Sequence, residues 1–530
     1  MIRRKEIVNV LRRLAFAADL KGDKRAKAWS GAAWAIRQLD EDLAVMVEER
    51  RLARVRGVGP ATSALVADLL DGIQPRVLEE MEAEIPAGLF EIQRIKGLGA
   101  KKIKMLWEDL GITTVGELEY ACRENRLVDL KGFGVKTQSK VLAQIEMLRA
   151  NAGKRRRDRA AAVVEPFLAS LVHKGIRCAL VGDLPRGMEL IEDLRVVVDR
   201  APEGEVPEGV KVDVATGAWG WAVLRRTSSE AHQAALQERA ASKGLTLDDL
   251  DADSEEDVYR ALGLLPTPAE RREADVPLVG SGSATTPLVR REDLRGALHN
   301  HTTASDGSHT LAQMQQAAAA AGLAYLGISE HSVSAFYAGG LDSTRLQDQR
   351  KAIDERNAAA PGCTLLAGVE SDILLDGSLD YDDDVLDGLE FVVASVHGRR
   401  RQDAPAMTAR LVAAAKHPQT SVVGHPTGRL LLGREPAPFD VEAFLDACAE
   451  SGCAVELNAN PARLDLSVAH LKLAKERGVL ISIAADAHSM QELQNLEHGV
   501  AIARRAGLCA EDVLNARSLE ELRQWLAARG

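Results

Sequence analysis

Towards its C-terminus the chain alternates between two kinds of apolar pattern. Short continuous runs, "YLGISEH", "TLLAGVE", "LEFVVASVH", "TSVVGH" and "VLISIAADAH", each close on a histidine or a carboxylate: His331, Glu370, His397, His425, and Asp486 with His488. Between them lie longer segments with helical spacing, such as "TLAQMQQAAAAAG" and "MTARLVAAAKH". The short runs predict buried strands and the longer segments helices, so the alternation predicts βα units on a parallel sheet. Polar residues at the carboxyl ends of successive strands predict a closed or nearly closed barrel with its site at one mouth. In "LHNHTTASDG", His299 and His301 stand two apart on a predicted strand and share one face, and Asp306 can fold back from the loop.

The resulting set is His299, His301, Asp306, His331, Glu370, His397, His425, Asp486 and His488, which takes six of the twelve histidines. One buried histidine is ordinarily a satisfied core residue; six at strand ends beside three carboxylates are not explained that way. Imidazole with carboxylate suits Zn²⁺, Mn²⁺ or Fe²⁺ better than Ca²⁺, and nine donors suffice for two or three ions.

The front of the chain carries a different pattern, repeated three times. "LARVRGVGPATSALVADLL", "EIQRIKGLGAKKIKMLWEDL" and "LVDLKGFGVKTQSKVLAQIE" each predict a short helix, a glycine–apolar–glycine turn and a second helix. The turn glycines are Gly57 and Gly59, Gly97 and Gly99, and Gly132 and Gly134. They permit a tight turn and leave backbone N–H groups at a helix N-terminus, which can grip a phosphate without reading a base. The pattern resembles the helix-hairpin-helix motif of DNA-binding proteins. Lys96, Lys101, Lys102, Lys104, Lys131 and Lys136 beside the turns favour phosphate contact, although lysines of this kind are usually a solvated face.

Charge follows this division. The net charge is −11, but residues 1–160 hold 31 Lys and Arg against 23 Asp and Glu, leaving 36 against 55 for the remainder. A basic front can track phosphates while an acidic back holds cations. No run of apolar residues is long enough for a membrane span. The start "MIRRKEIVNVLRRLA" predicts an amphipathic helix rather than a signal peptide. Six cysteines without CxxC pairing predict reduced thiols in a reducing cytoplasm, and a DNA-binding front implies association with the nucleoid. "NAGKRRRDRAAAV" predicts an exposed basic linker or helix start, and "VPLVGSGSATTPLV" a second linker.

The segment "LKGDKRAKAWSGAAWAI" and the hairpins after it resemble the bacterial and archaeal family X DNA polymerases. Their next landmark is a nucleotidyltransferase palm with the motif G-S-x-R-R-G-x-E-x-x-x-D-x-D and a later third Asp, whose carboxylates hold two Mg²⁺ ions. Here "GDLPRGMELIEDLRVVVD" keeps Gly182, Arg186, Gly187, Glu189 and Asp193, but Arg195 stands at the second Asp and Asp213 at the third. A guanidinium does not coordinate Mg²⁺. Asp183 replaces the motif serine, the stretch from Asp193 to Asp213 is short for the family, and "RRTSSEAHQ" lacks the aromatic, glycine and asparagine of the nucleotide pocket. The expectation is a degenerate palm without bound Mg²⁺ and without polymerisation, followed by a thumb at "DSEEDVYRALGLLPTPAERRE".

Residues 291–530 resemble the PHP (polymerase and histidinol phosphatase) domain, on "LHNHTTASDG", "GISEHS", "GVESDIL", "LDYDDDVL", "ASVH", "GHPTGRLL", "VELNANPARLDL" and "DAHS" in family order. The resemblance implies a distorted (β/α)7 barrel, a trinuclear metal centre filled by the nine residues above, and phosphoester hydrolysis. Ala297 and Glu330 depart from the family beside the ligands.

The expected architecture is multidomain. An all-α helical region runs over 1–75 and 76–152, an α+β degenerate nucleotidyltransferase palm and thumb over 153–276, a linker over 277–290, and the barrel over 291–530. The expected function is metal-dependent phosphodiester hydrolysis by a monomer on gapped, nicked or 3′-ended DNA, as a 3′→5′ exonuclease of repair. Glu370 or Asp486 bridges ions in this reading, His397 protonates the leaving oxygen, and Arg429 holds a phosphate. The competing readings are a gap-filling polymerase with an editing PHP domain, a small-molecule phosphatase, and a DNA-binding scaffold without catalysis.

Overall fold

Among the described residues, 1–152 form helices and no strands in the computed structural model, which describes residues 4–39, 41–73, 75–128, 130, 132–360 and 362–529. Lys131 therefore lies outside the described residues. Each glycine turn ends on a helix: Pro60–Leu70 after Gly57 to Gly59, Ala100–Leu110 after Gly97 to Gly99, and Val135–Ala150 after Gly132 to Gly134. Gly57, Gly97 and Gly132 have φ of 96°, 93° and 84°, the left-handed region that glycine enters without steric cost. The apolar residue between the glycines turns inward: Val58 and Leu98 are buried and Phe133 packs against the same core. That core runs unbroken from Ile7 to Ile145, with no division near residue 75. The chain divides into two compact units, 1–152 and 153–530.

The second unit opens with Arg155–Arg156, which pair antiparallel with Leu190–Ile191, and with the helix Arg157–His173. The basic stretch is thus a helix start rather than an exposed linker. Arg157 is buried and donates to the carbonyls of Leu184 and Met188 at 3.1 and 3.0 Å. A three-stranded sheet follows: β1 (Cys178–Gly182) pairs antiparallel with β2 (Leu194–Val198), which pairs parallel with β3 (Lys211–Val214).

The remainder is a seven-stranded parallel sheet in sequence order, β4 (Gly296–Ala297), β5 (Tyr325–His331), β6 (Thr364–Asp372), β7 (Phe391–Ser395), β8 (Val422–Gly424), β9 (Ala454–Asn458) and β10 (Ile481–Ala484). Helices connect most of the strands, and several pack on the sheet. The first and last strands meet where Asn300 bridges Ala487 and the His301 N–H donates to the Ala487 carbonyl at 2.9 Å, so the sheet nearly closes. β4 is shorter than expected: His299 and His301 lie beyond its end, on the continuation that Asn300 ties across the seam.

Tyr325 and Phe391 fill the barrel near the start of its strands. A Cβ on Gly296 would stand 2.1 Å from the Tyr325 ring, and one on Gly327 or Gly368 would stand 2.6 or 2.4 Å from the Phe391 ring. Glycine at these positions makes room for the rings, and the plug they form leaves the opposite end of the strands for polar groups.

Candidate metal centre

At the C-terminal ends of the barrel strands the polypeptide delivers the nine sequence-predicted residues into four overlapping groups: His301, Asp306, His331 and His488; His299, His301 and Asp486; His299, Glu370 and His425; His331, Glu370 and His397. Glu370, on β6, is the hub. One of its oxygens stands 3.2 Å from His299 Nε2, 3.2 Å from His397 Nε2 and 3.1 Å from His425 Nε2. The other stands 2.8 Å from His331 Nδ1 and 3.7 Å from His301 Nε2. Asp486 lies 3.4 Å from His301 and 3.6 Å from His299. Asp306 folds back as expected, 3.5 Å from His331 and 3.4 Å from His488. Backbone strain accompanies this: Asp486 and His425 hold φ of 49° and 24°, the left-handed region that costs a side-chain-bearing residue roughly 1–3 kcal/mol.

These groups are close without being hydrogen-bonded. His299 Nε2, both nitrogens of His301, His331 Nδ1, His425 Nδ1 and both oxygens of Glu370 are buried and have no hydrogen-bond partner. Buried polar atoms are normally paired, and unpaired nitrogen lone pairs aimed at carboxylates fit a divalent cation. The electrostatics agree. Burial disfavours charge on His331, but Glu370 and Asp306 outweigh it and hold its pKa up at about 10. His488 is held at about 9 by Asp306 and Asp486 against burial, and His299 well above its ordinary value by Glu370, Glu456 and Asp486. Glu370 and Asp486 stay far below the usual carboxylate range despite burial, because the facing imidazoles favour the anion. Burial holds His301 and His425 the other way, at about 4 and about 3, so the pull on positive charge is centred on His299, His331 and His488.

Sequence reasoning missed the carboxylates behind the histidines. Glu456, on β9, stands 2.6 Å from His299 Nδ1, and Asp372, on β6, stands 2.9 Å from His397 Nδ1. A carboxylate on one ring nitrogen fixes the tautomer and presents the other nitrogen's lone pair to a metal. Asp372 lies two residues after Glu370 on one strand face, a signal that was available. Glu330 accepts hydrogen bonds from the Thr302 N–H at 3.0 Å and from Gln349 at 3.1 Å, and so braces the loop that carries Asp306.

Arginines were also assigned differently. Arg429 Nη1 pairs with Glu189 at 2.9 Å and Nε donates to the Arg463 carbonyl at 2.9 Å, which directs this guanidinium to the palm motif. Arg463 instead faces Asp486 at 3.5 Å, and its Nη1 is buried without a partner. Arg400 donates to the carbonyls of His397 and Gly428 at 3.1 and 3.2 Å. Burial, then the neighbouring Arg434 and Arg463, lower the Arg400 pKa to about 10. Guanidiniums that crowd one another in this way concentrate positive potential.

In the palm, Arg195 lies between the two acids, 3.1 Å from Asp193 and 2.7 Å from Asp213. Lys211 adds a contact to Asp193 at 2.8 Å and Arg226 one to Asp213 at 2.6 Å. Of the other motif residues, Gly187 and Glu189 face the barrel, while the Arg186 side chain is held by Glu273 of the same segment. Arg186 pairs with Glu273 at 2.5 Å, a Cβ on Gly187 would meet the Ala501 carbonyl at 2.8 Å, and Glu189 accepts from the Val468 N–H at 3.1 Å. In the hairpins Lys101 and Lys136 are exposed, and Lys102 lies 5.2 Å over the Phe133 ring.

Residues 90–146 match the SAM-like helix-hairpin-helix tandem family. The DNA polymerase/3′-5′ exonuclease PolX of Bacillus subtilis (strain 168) is 31% identical over 573 residues, covering 99% of either chain. A probable phosphatase of Caldanaerobacter subterraneus subsp. tengcongensis is 27% identical over 246 residues, 43% of this chain and 89% of the relative. A probable phosphatase of Thermoanaerobacter sp. (strain X514) is 30% identical over 164 residues, 29% of this chain and 64% of the relative.

Proposed function

The chain belongs to the PolX family of DNA polymerase/3′-5′ exonucleases, and from that membership we propose that it is a metal-dependent phosphodiesterase that trims 3′ ends of DNA and no longer extends them. The observation that carries the hydrolytic reading is the buried set of unpaired imidazole and carboxylate atoms around Glu370. Glu370, His299, His301, Asp486, Asp306, His331, His397, His425 and His488 would hold two or three divalent ions, with Mn²⁺, Zn²⁺ or Fe²⁺ the best match to an imidazole-rich set. Such ions supply a Lewis acid for the phosphate and lower the pKa of a water for attack.

The chain's own residues do the rest. Asp372 and Glu456 hold His397 and His299 in one tautomer. Arg463, with an unpartnered Nη1, and Arg400 stand ready for phosphate oxygens. Both nitrogens of His397 face carboxylates, Asp372 and Glu370, which favours a ligand role over the proton donor expected from sequence. Arg429, paired with Glu189, is set aside as the phosphate holder.

For the loss of polymerisation the supporting observation is Arg195, whose guanidinium spans Asp193 and Asp213 where the family motif has a carboxylate. The helical hairpins supply a grip on DNA at gaps, nicks or ends through Gly57, Gly59, Gly97, Gly99, Gly132, Gly134 and the adjacent Lys101, Lys102 and Lys136. The test is digestion of 3′-labelled and 5′-labelled DNA by the metal-loaded chain beside a His299→Ala/His301→Ala control, with a parallel primer-extension assay. Stepwise loss of 3′ label without extension is expected. Robust extension overturns the palm reading, and turnover of small phosphomonoesters far above that of DNA ends favours a phosphatase.

A further inference from the structure

Two aromatic side chains beside the metal centre have no partner in the core. Phe336 and Tyr337 are 84% and 66% exposed, and among the described residues of 153–530 no other Phe, Tyr or Trp side chain is left exposed. They stand together at the tip of the loop that leaves β5 after His331, with ring centres 5.9 Å apart and planes at 78°. Exposing two adjacent rings is unfavourable in water, and such a patch marks a binding surface.

The loop beneath them is built to stay in place. The Ser332 N–H donates to the Glu370 carbonyl at 3.1 Å, and the Leu341 N–H to the His331 carbonyl at 2.8 Å, so both ends are tied to strands of the metal centre. The Ser332 hydroxyl accepts from the Asp372 N–H at 2.8 Å, the Tyr381 hydroxyl donates to the Leu341 carbonyl at 2.6 Å, and Arg345 donates to the Gly339 carbonyl at 3.1 Å. A Cβ on Gly340 would lie 1.9 Å from the Ser332 carbonyl, so the loop closes only with glycine there. Ala335 and Ala338 are buried on either side of the exposed pair. Tyr337 stands within the field of the site: partial burial, then Asp372 and Glu370, push its phenol up while Arg400 opposes.

We propose that Phe336 and Tyr337 form a stacking platform for the unpaired base of a DNA strand end whose backbone phosphate lies at Arg400 and Arg463. The proposal rests on the phosphodiesterase reading and names the part of the substrate that reading leaves unassigned. Charge complementarity selects the occupant: guanidiniums and a cation-drawing centre beside the rings accept a phosphate, and a base attached to that phosphate brings an aromatic face of its own. Base–aromatic stacking tolerates any base, so the platform confers a preference for unpaired ends without a preference for sequence.

The experiment uses the full chain loaded with Mn²⁺ and two single-stranded DNAs, one ending in an ordinary 3′ nucleotide and one in an abasic tetrahydrofuran residue. The expected result is a preference in kcat/KM for the base-bearing end of about ten- to a hundredfold, carried by KM. In Phe336→Ala/Tyr337→Ala the ratio falls to near unity, and in Phe336→Tyr/Tyr337→Phe it is retained. A ratio near unity in the intact protein overturns the platform alone. So does a preference that survives the double alanine variant, or an equal loss at both ends, which marks a structural role. An intact protein that trims neither end overturns the phosphodiesterase reading and the platform with it.

Discussion

Two clusters of acidic side chains in residues 153–530 differ in what faces them. In the palm, Asp193 and Asp213 meet Arg195, Lys211 and Arg226, cations that the chain itself supplies. In the barrel, Glu370, Asp486 and Asp306 meet six histidines. A guanidinium is permanently charged and donates only hydrogen bonds, so it replaces a metal ion. An imidazole is a base with a lone pair, so it shares an ion with the carboxylate it faces. Carboxylates already neutralised by fixed cations leave no room for an ion from solution, so here the type of base beside the acids decides whether such an ion is required.

The largest expected effect breaks the barrel side of this comparison. His299→Ala/His301→Ala removes several kcal/mol of charge stabilisation and should lower kcat/KM on DNA ends by on the order of a thousandfold, with elemental analysis reporting fewer bound ions. Next come the carboxylates behind the histidines. Glu456→Gln and Asp372→Asn should each weaken metal affinity by about ten- to a hundredfold while leaving the fold intact, read by metal titration and thermal unfolding. An unchanged affinity would remove these residues from the site.

Acidity separates the two clusters. His331 and His488 have folded pKa values of about 10 and about 9, above the ordinary 6.5. In chelator-treated protein the stability they contribute is fully present below pH 6.5 and is lost as pH rises through those values. Metal binding must displace the same protons, so affinity should rise between pH 6.5 and about 9, by about tenfold per unit for each proton released. Asp193 is shifted the other way: burial raises it, but Arg195 and Lys211 outweigh burial and hold it below 3.8, so its pairing should persist until the pH falls below that value. A flat pH profile of metal affinity would contradict the barrel assignment.

The smallest effect lies in the palm. Arg195→Ala should cost roughly 1 kcal/mol, because the pairs it breaks are partly exposed. Arg195→Asp should create a cation site absent from the intact protein, visible as a rise in unfolding temperature on adding Mg²⁺. No rise would mean that Lys211 and Arg226 by themselves keep the ion out.

Sequence legibility follows the same lines. The alternation of apolar runs and helical segments, read from "YLGISEH" onward, led to a parallel, nearly closed sheet, the family resemblance supplied its seven strands, and the triple glycine pattern led to helical hairpins. Glu456 escaped because a carboxylate in a strand says nothing about which imidazole faces it, whereas Asp372, two residues after Glu370 on one strand face, was legible and overlooked. Arg429 was misjudged because its partner, Glu189, lies more than 200 residues away. Nothing in the local pattern marks Phe336 and Tyr337 as exposed.

What the sequence determined by itself was the kind of element and the chemistry at its ends, since side-chain direction repeats with the local backbone period of two in a strand and about 3.6 in a helix. Tertiary structure alone decided which charges meet. Barrel closure at Asn300 and Ala487 aims the histidines at Glu370, and docking of the palm turns Arg429 outward and leaves Arg463 at the centre. Partner choice between distant residues depends on how the chain closes on itself, and no local period encodes that.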